Sequence, residues 1–149
     1  MTTREGGSLS IGEDIAALVG EAFDARLPLL VAYVSDAGFP RLSYRGTMQV
    51  HGDDELAFWA RSPEGGVVKA VSARPKLTVM YRNPEARTTL FFYGEGAIVA
   101  DAAEREAIYA ASPEPERNAD AEKKGVAIRI VLERIEGRNA DGPIEIVRA

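Results

Sequence analysis

The chain has 149 residues, 46% of them hydrophobic and 28% charged, the profile of one globular domain with a sizeable core. There is no cysteine, which excludes disulfides, thiolate catalysis and cysteine-zinc centres, and a net charge of −5 argues against general nucleic-acid binding. No run approaches the ~20 apolar residues of a membrane span and the N-terminus lacks the apolar core of a signal peptide, so a cytoplasmic protein is expected.

Residues 1–10 are rich in glycine and polar side chains and are expected to form a flexible N-terminus. Ser10-Ile11-Gly12-Glu13 has the spacing of a capping box, and Ile11, Ile15, Leu18, Val19 and Ala22 recur at helical spacing. A helix to about Ala25 is predicted, ended before Pro28. Leu29 to Ser35 is a short, nearly continuous apolar run, read as a strand buried on both faces. Asp36-Ala37-Gly38-Phe39-Pro40 carries turn chemistry and predicts a hairpin into a second strand from Arg41 to Val50.

After the Gly52-Asp53-Asp54 turn, Glu55 to Ala60 forms a third strand, with Leu56, Phe58 and Ala60 on one face and Ala57, Trp59 and Arg61 on the other. Ser62-Pro63-Glu64-Gly65-Gly66 cannot continue a sheet. Val67 to Ala73 reads as a short helix stopped by Pro75, and Leu77 to Tyr81 as a fourth strand. Thr88 to Val99 is a long strand whose Gly94 and Gly96 predict a bend or bulge of the kind a barrel needs at a corner.

Asp101-Ala102-Ala103-Glu104 repeats the capping spacing and opens a helix to about Ala111. Pro113 to Lys124 is a charged surface connection with one helical turn. Val126, Ile128, Ile130 and Leu132 then fill one face of a last strand, and its partly apolar other face predicts a cover, such as a second subunit. About six strands joined by hairpins, with marginal helices, give a mainly β, antiparallel barrel with α+β character over residues 11–136, followed by a tail over 137–149.

The chemistry gathers between Arg41 and Arg87, where eight Lys or Arg face five Asp or Glu, a local +3 in a chain whose remainder sums to −8. Arg41 and Arg45 lie four apart on one strand and so share a face, which suits an anionic ligand, although strand arginines are more often simply solvated. Trp59 reads as a ring platform or, more commonly, as core. Lys69 reads as a phosphate ligand or as helix decoration. His51, the only histidine, reads as a surface turn residue, and no set of metal ligands clusters in the sequence. Ser43 and Ser62 lack the base and the elbow motif that a nucleophile needs.

Pro-Arg-x-Ser at the second strand, Trp-Ala-Arg-Ser closing the third, Ala-Arg-Pro ending a helix, Val-Met-Tyr, and a long Tyr-Gly-x-Gly-Ala strand together make the chain resemble the pyridoxamine 5'-phosphate oxidase-like family over roughly residues 11–136. That resemblance implies a six-stranded split barrel with flanking helices, assembled as a homodimer that binds flavin mononucleotide (FMN) between subunits. By position it implies that Arg41, Ser43 and Arg45 lie in the strand segment that contacts the flavin and that the backbone of Trp59, Ala60 and Arg61 lies against its ring. Gly65, Gly66 and Val67 occupy the place where relatives carry a Ser-Arg-Lys phosphate clasp, with Lys69 one turn on. Thr89 stands where relatives place a glutamine that reaches the partner's flavin.

The missing clasp side chains predict weaker phosphate binding, carried by backbone amides at the helix start. Three functions follow. The first is a flavin-dependent oxidoreductase on an unidentified small molecule. The second is a non-catalytic sensing or binding module of the same fold, holding deazaflavin, haem or nothing. The third is a structural barrel whose basic island meets an acidic protein.

Overall fold

The computed structural model of the chain describes residues 7–149. Its elements are α1 (Glu13–Glu21), β1 (Leu29–Val34), β2 (Pro40–Arg45), β3 (Gln49–Gly52), β4 (Glu55–Ala60), α2 (Gly66–Ala73), β5 (Lys76–Asn83), β6 (Thr88–Ile98), α3 (Ala102–Ala111), α4 (Glu114–Asn118), β7 (Val126–Asn139) and β8 (Gly142–Val147). Eight strands form one antiparallel sheet in the order β2-β1-β5-β6-β7-β4-β3, with β8 paired to the far half of β7.

The sheet curls around one core because alternate residues of neighbouring strands point the same way. Val31 pairs with Val79, Val79 with Phe92, and Phe92 with Ile135, and all four are fully buried. Further along, Gly96 pairs with Ile130, which also pairs with Leu56, while Ile128 pairs with Phe58. Among the described residues β2 and β3 do not pair, so the two edges of the sheet leave an open seam. Across that seam the Arg45 guanidinium lies 5.5 Å from the centroid of the Phe58 ring.

The seam explains why the second predicted strand is two. Gly46-Thr47-Met48 interrupts it, β2 stays with β1, and β3 crosses to β4. The buried Thr47 hydroxyl accepts from Trp59 N at 2.9 Å and donates to Trp59 O at 3.0 Å, which satisfies the β4 backbone where the ladder stops.

Other expectations need correction. Ser10 does not cap the first helix, which begins at Glu13 after Gly12, at φ +82°, with no side-chain cap, and it ends at Glu21 rather than Ala25. β1 is buried on one face only, since Ala32 is half-buried and Val34 exposed on the other. Asp101 does cap α3, accepting from Glu104 N at 2.8 Å. The predicted bulge is present: between Tyr93 and Gly94 the register against β7 slips by one residue.

Gly94 is required there, because a Cβ on it would run into the Val131 carbonyl. β7 continues through residue 137 to Asn139, and β8 folds back on it. Of the stretch expected to be flexible, residues 1–6 lie outside the described residues, while Leu9 is buried and Ser8 O accepts from Ala149 N. Among the described residues no helix is long and apolar enough to cross a membrane.

Candidate functional site

β2 is an edge strand whose inward row, Arg41, Ser43 and Arg45, pairs with Tyr33, Val31 and Leu29 of β1. These three polar residues therefore stand on the core side of the sheet but at its open seam. Arg45 is the innermost. Its Nε donates to Ser43 Oγ at 3.2 Å, and among the described residues no carboxylate pairs with it. Burial lowers its pKa below the ordinary guanidinium value; Tyr33 opposes that shift and the like charge of Arg61 adds to it. A half-buried cation facing another cation is a site that gains from an anion.

The start of α2 completes that corner. Gly66 abuts the Tyr33 hydroxyl so closely that a Cβ would lie 2.5 Å from Oη, which ties the Gly-Gly pair to the floor of the seam. Val67, Val68, Ala70 and Val71 anchor the helix in the core, and no side chain caps its first amides, the arrangement in which a helix start can take an anion. At its other end Arg74 donates to Val34 O at 3.0 Å and pairs with Asp36 at 2.6 Å, fixing α2 to the β1–β2 hairpin. Lys69 is exposed.

A groove of about 670 Å³ opens beside Arg45, walled by Arg45, Thr47, Arg61 and Ser62 on one side and by Glu116, Asp120 and Lys124 from the α3–β7 connection on the other. The second wall went unforeseen, for Pro113 to Lys124 reads as a bland charged link. Its anchor is Trp59. The indole N–H donates to Asp120 Oδ2 at 2.9 Å, the ring meets Tyr109 edge-on with centroids 5.1 Å apart, and the Arg105 guanidinium stacks at 4.6 Å.

Of the two sequence readings of the Trp59 ring, platform or core, the structure gives the more common one, core. Its ring is 3% exposed and sits on the outer face of β4 with Ile108, Tyr109 and Ala127, so it is core, not a platform on the Arg45 side. Only its edge reaches the groove. Ala60 is buried in the main core, and Arg41 is exposed at the rim. Thr89 lies on the outer face of β6, opposite Arg82 and Arg138, and does not join this chain's groove.

His51 is likewise not a turn residue. It lies on β3 and shares a hydrogen bond of 3.0 Å with Glu104, which also binds Arg129 at 3.1 Å. His51, Glu55 and Glu104 bring their ligand atoms within 4.8 Å of one another, a convergence of β3, β4 and α3 that linear spacing cannot reveal. Arg129 is already inside it, 3.4 Å from Glu55 and bonded to Glu104, so the group works as an ion-pair network holding α3 to the sheet.

No family model and no curated protein matches the chain. Solved structures do. A pyridoxamine 5'-phosphate oxidase-related, FMN-binding protein from Nostoc punctiforme superposes with a TM-score of 0.69 at 11% identity, over 89% of this chain and 86% of that one. The fold is the pyridoxamine 5'-phosphate oxidase-like split barrel. HupZ of Group A Streptococcus has the same split barrel, with a TM-score of 0.66 and 19% identity over 93% of this chain and 98% of HupZ. A heme binding protein from Mycobacterium smegmatis shares it at a TM-score of 0.65 and 12% identity, over 89% of this chain and 57% of that one. Here the split barrel carries eight strands rather than six, because the predicted second strand divides and β8 is added.

Proposed function

We propose that the protein is an FMN-binding flavoprotein that works as a homodimeric, flavin-dependent oxidoreductase on a small molecule. The observation that carries this reading is Arg45: a half-buried guanidinium without a carboxylate partner among the described residues, set beside Arg61 and a glycine-lined helix start at the seam of a split barrel. Phosphate of the flavin would be held by Arg45, Arg61, the Ser43 hydroxyl and the first amides of α2. Gly66 suits this role because its backbone amide, unscreened by a side chain, stands where relatives carry the Ser-Arg-Lys clasp, while the Gly65 amide is held by Ser62 O at 3.0 Å.

The flavin itself supplies hydride or electron transfer, so no protein acid or base is obligatory. The residues around the groove orient it and exclude water. A second subunit finds support in the outer face of the sheet, where Val34 and Leu42 are 38% and 64% exposed and Met80 and Phe91 lie on the same face. Haem has less support: the only histidine, His51, is engaged by Glu104 and does not line the groove.

The test is titration of the purified protein with FMN, followed by quenching of flavin fluorescence and by the emission of the single tryptophan. Saturable binding that weakens by about tenfold or more in Arg45→Ala supports the reading. An absence of binding, or equal affinity in Arg45→Ala, overturns it.

A further inference from the structure

Beside the flavin groove lies a second groove of about 550 Å³, lined by Phe23, Asp24, Arg26 and Pro28 from the connection between α1 and β1, and by Tyr44, Gly46 and Glu116. The last three residues line both grooves, so the two meet over Gly46. Gly46 keeps that neck open: a Cβ there would lie 2.8 Å from Glu116 Oε1 and 3.3 Å from the Phe23 ring. Tyr44, 70% exposed, stands on one side of the neck and the Glu116 carboxylate on the other.

Glu116 is set apart from most acidic groups nearby. Asp120 is committed to Trp59 and to the backbone N–H groups of Lys124 and Gly125, and Glu104 to His51 and Arg129. Among the described residues Glu116 has neither a hydrogen bond nor an ion pair, although it is half-buried and α4 holds it over the neck. A half-buried, unpartnered carboxylate beside two aromatic rings, Phe23 and Tyr44, is the recognition chemistry of a flat organic cation: the rings take its faces and the carboxylate its N–H and its charge.

We infer that this second groove binds a flat, cationic, nitrogen-bearing organic molecule, with Glu116 as the residue that fixes its orientation and Tyr44 as the ring against which it lies. Its assignment as the substrate groove rests on the flavin reading above; the binding chemistry does not. In the second groove Asp24 offsets Arg26 and leaves Glu116 as the excess charge, whereas in the first Arg45, Arg61 and Lys124 outnumber Glu116 and Asp120, so charge sorts the two ligands: the anionic cofactor at one end, the cationic molecule at the other.

The experiment uses the full chain without flavin, with 9-aminoacridine as the probe and anthracene-9-carboxylate as an anion of the same shape, each followed by fluorescence anisotropy. The expected result is saturable binding of the cation, weakened about tenfold or more in Glu116→Gln and further in Glu116→Lys, with circular dichroism spectra unchanged. Tyr44→Ala should also weaken it, and the anion should bind the wild-type groove more weakly than the cation. Equal affinity in wild type and Glu116→Gln, or no binding of 9-aminoacridine at all, overturns the inference. FMN titration of the same samples is read separately, so loss of flavin binding with cation binding intact refutes the flavin reading alone.

Discussion

Asp120 accepts the Trp59 indole N–H at 2.9 Å, and the same carboxylate caps the backbone N–H groups of Lys124 and Gly125 at 3.0 and 2.9 Å. One side chain thus fastens the charged link between α3 and β7 to the outer face of β4 and forms the floor of the groove wall. Asp120→Ala strands three donors, two of them on the backbone, at a cost of about 2 kcal/mol. For a chain of this length the midpoint of thermal unfolding should fall by about 4–8 °C. Red-shifted Trp59 emission should accompany it, and an unshifted spectrum with an unchanged midpoint would remove Asp120 from this role.

Acid should loosen the same wall first. At both Asp120 and Glu104 burial pulls the carboxyl pKa upward, but donors override it: Trp59 and two backbone amides at Asp120, His51 and Arg129 at Glu104. Both folded-state values end below the ordinary carboxylate range. Their contribution to stability is therefore complete above the unfolded-state pKa and is lost as the pH falls through the folded-state values. Hydrogen exchange of α3 and the following link should accelerate on acidification before that of β5 and β6. Protection lost uniformly across the sheet would contradict this order.

Much of the sheet was legible in the sequence because local chemistry and tertiary context agree there. Thr88 to Ile98 alternates, and its two glycines sit where β7 and α2 press against β6, so pattern and packing give one answer. The second strand was misread because alternation from Arg41 to Val50 says nothing about which neighbour each half will choose. Thr47, the residue that resolves the break, looks like any strand threonine until Trp59 is placed opposite its hydroxyl. Trp59 itself could be assigned to a face but not to a cover, since the helix that buries it lies more than forty residues away in the chain. Charge counting found the corner around Arg45, whereas Glu116 and Asp120 stayed hidden because an acidic link becomes a groove wall only once it is folded over β4.

Gly94→Ala tests the bulge that lets the long strands bend. A methyl group there collides with the Val131 carbonyl and crowds Ile130, both in the rigid centre of the sheet. The expected loss is about 1–3 kcal/mol of unfolding free energy, read from urea denaturation with an unchanged slope. Gly38→Ala, in open space on the hairpin but at φ +87°, should lose less, about 1 kcal/mol. If the two variants were equally stable, the close approach at Gly94 would have no structural weight.

Leu42→Glu tests the second subunit. Leu42 projects from the outer face of an edge strand and is 64% exposed, so the substitution should leave the unfolding of an isolated chain nearly unchanged. Light scattering should show the wild type as a dimer and Leu42→Glu as a monomer. FMN affinity should fall with it if the cofactor lies between subunits. A dimer unaffected by the charge would place the contact elsewhere on the molecule.

Arg45 separates a ligand-binding role from a structural one by the sign of its effect. A guanidinium that serves only the fold destabilises when removed, because its partners are stranded. Arg45 has one hydroxyl partner and one aromatic contact, loses solvation, and faces the like charge of Arg61. Arg45→Leu should therefore leave the ligand-free protein as stable as the wild type or raise its midpoint by about 1–3 °C, while binding of inorganic phosphate and of FMN weakens by about tenfold or more. Arg41→Leu, at the exposed rim, should change both quantities less. A large fall in the midpoint with phosphate binding intact would mean that Arg45 holds the seam closed and takes no anion.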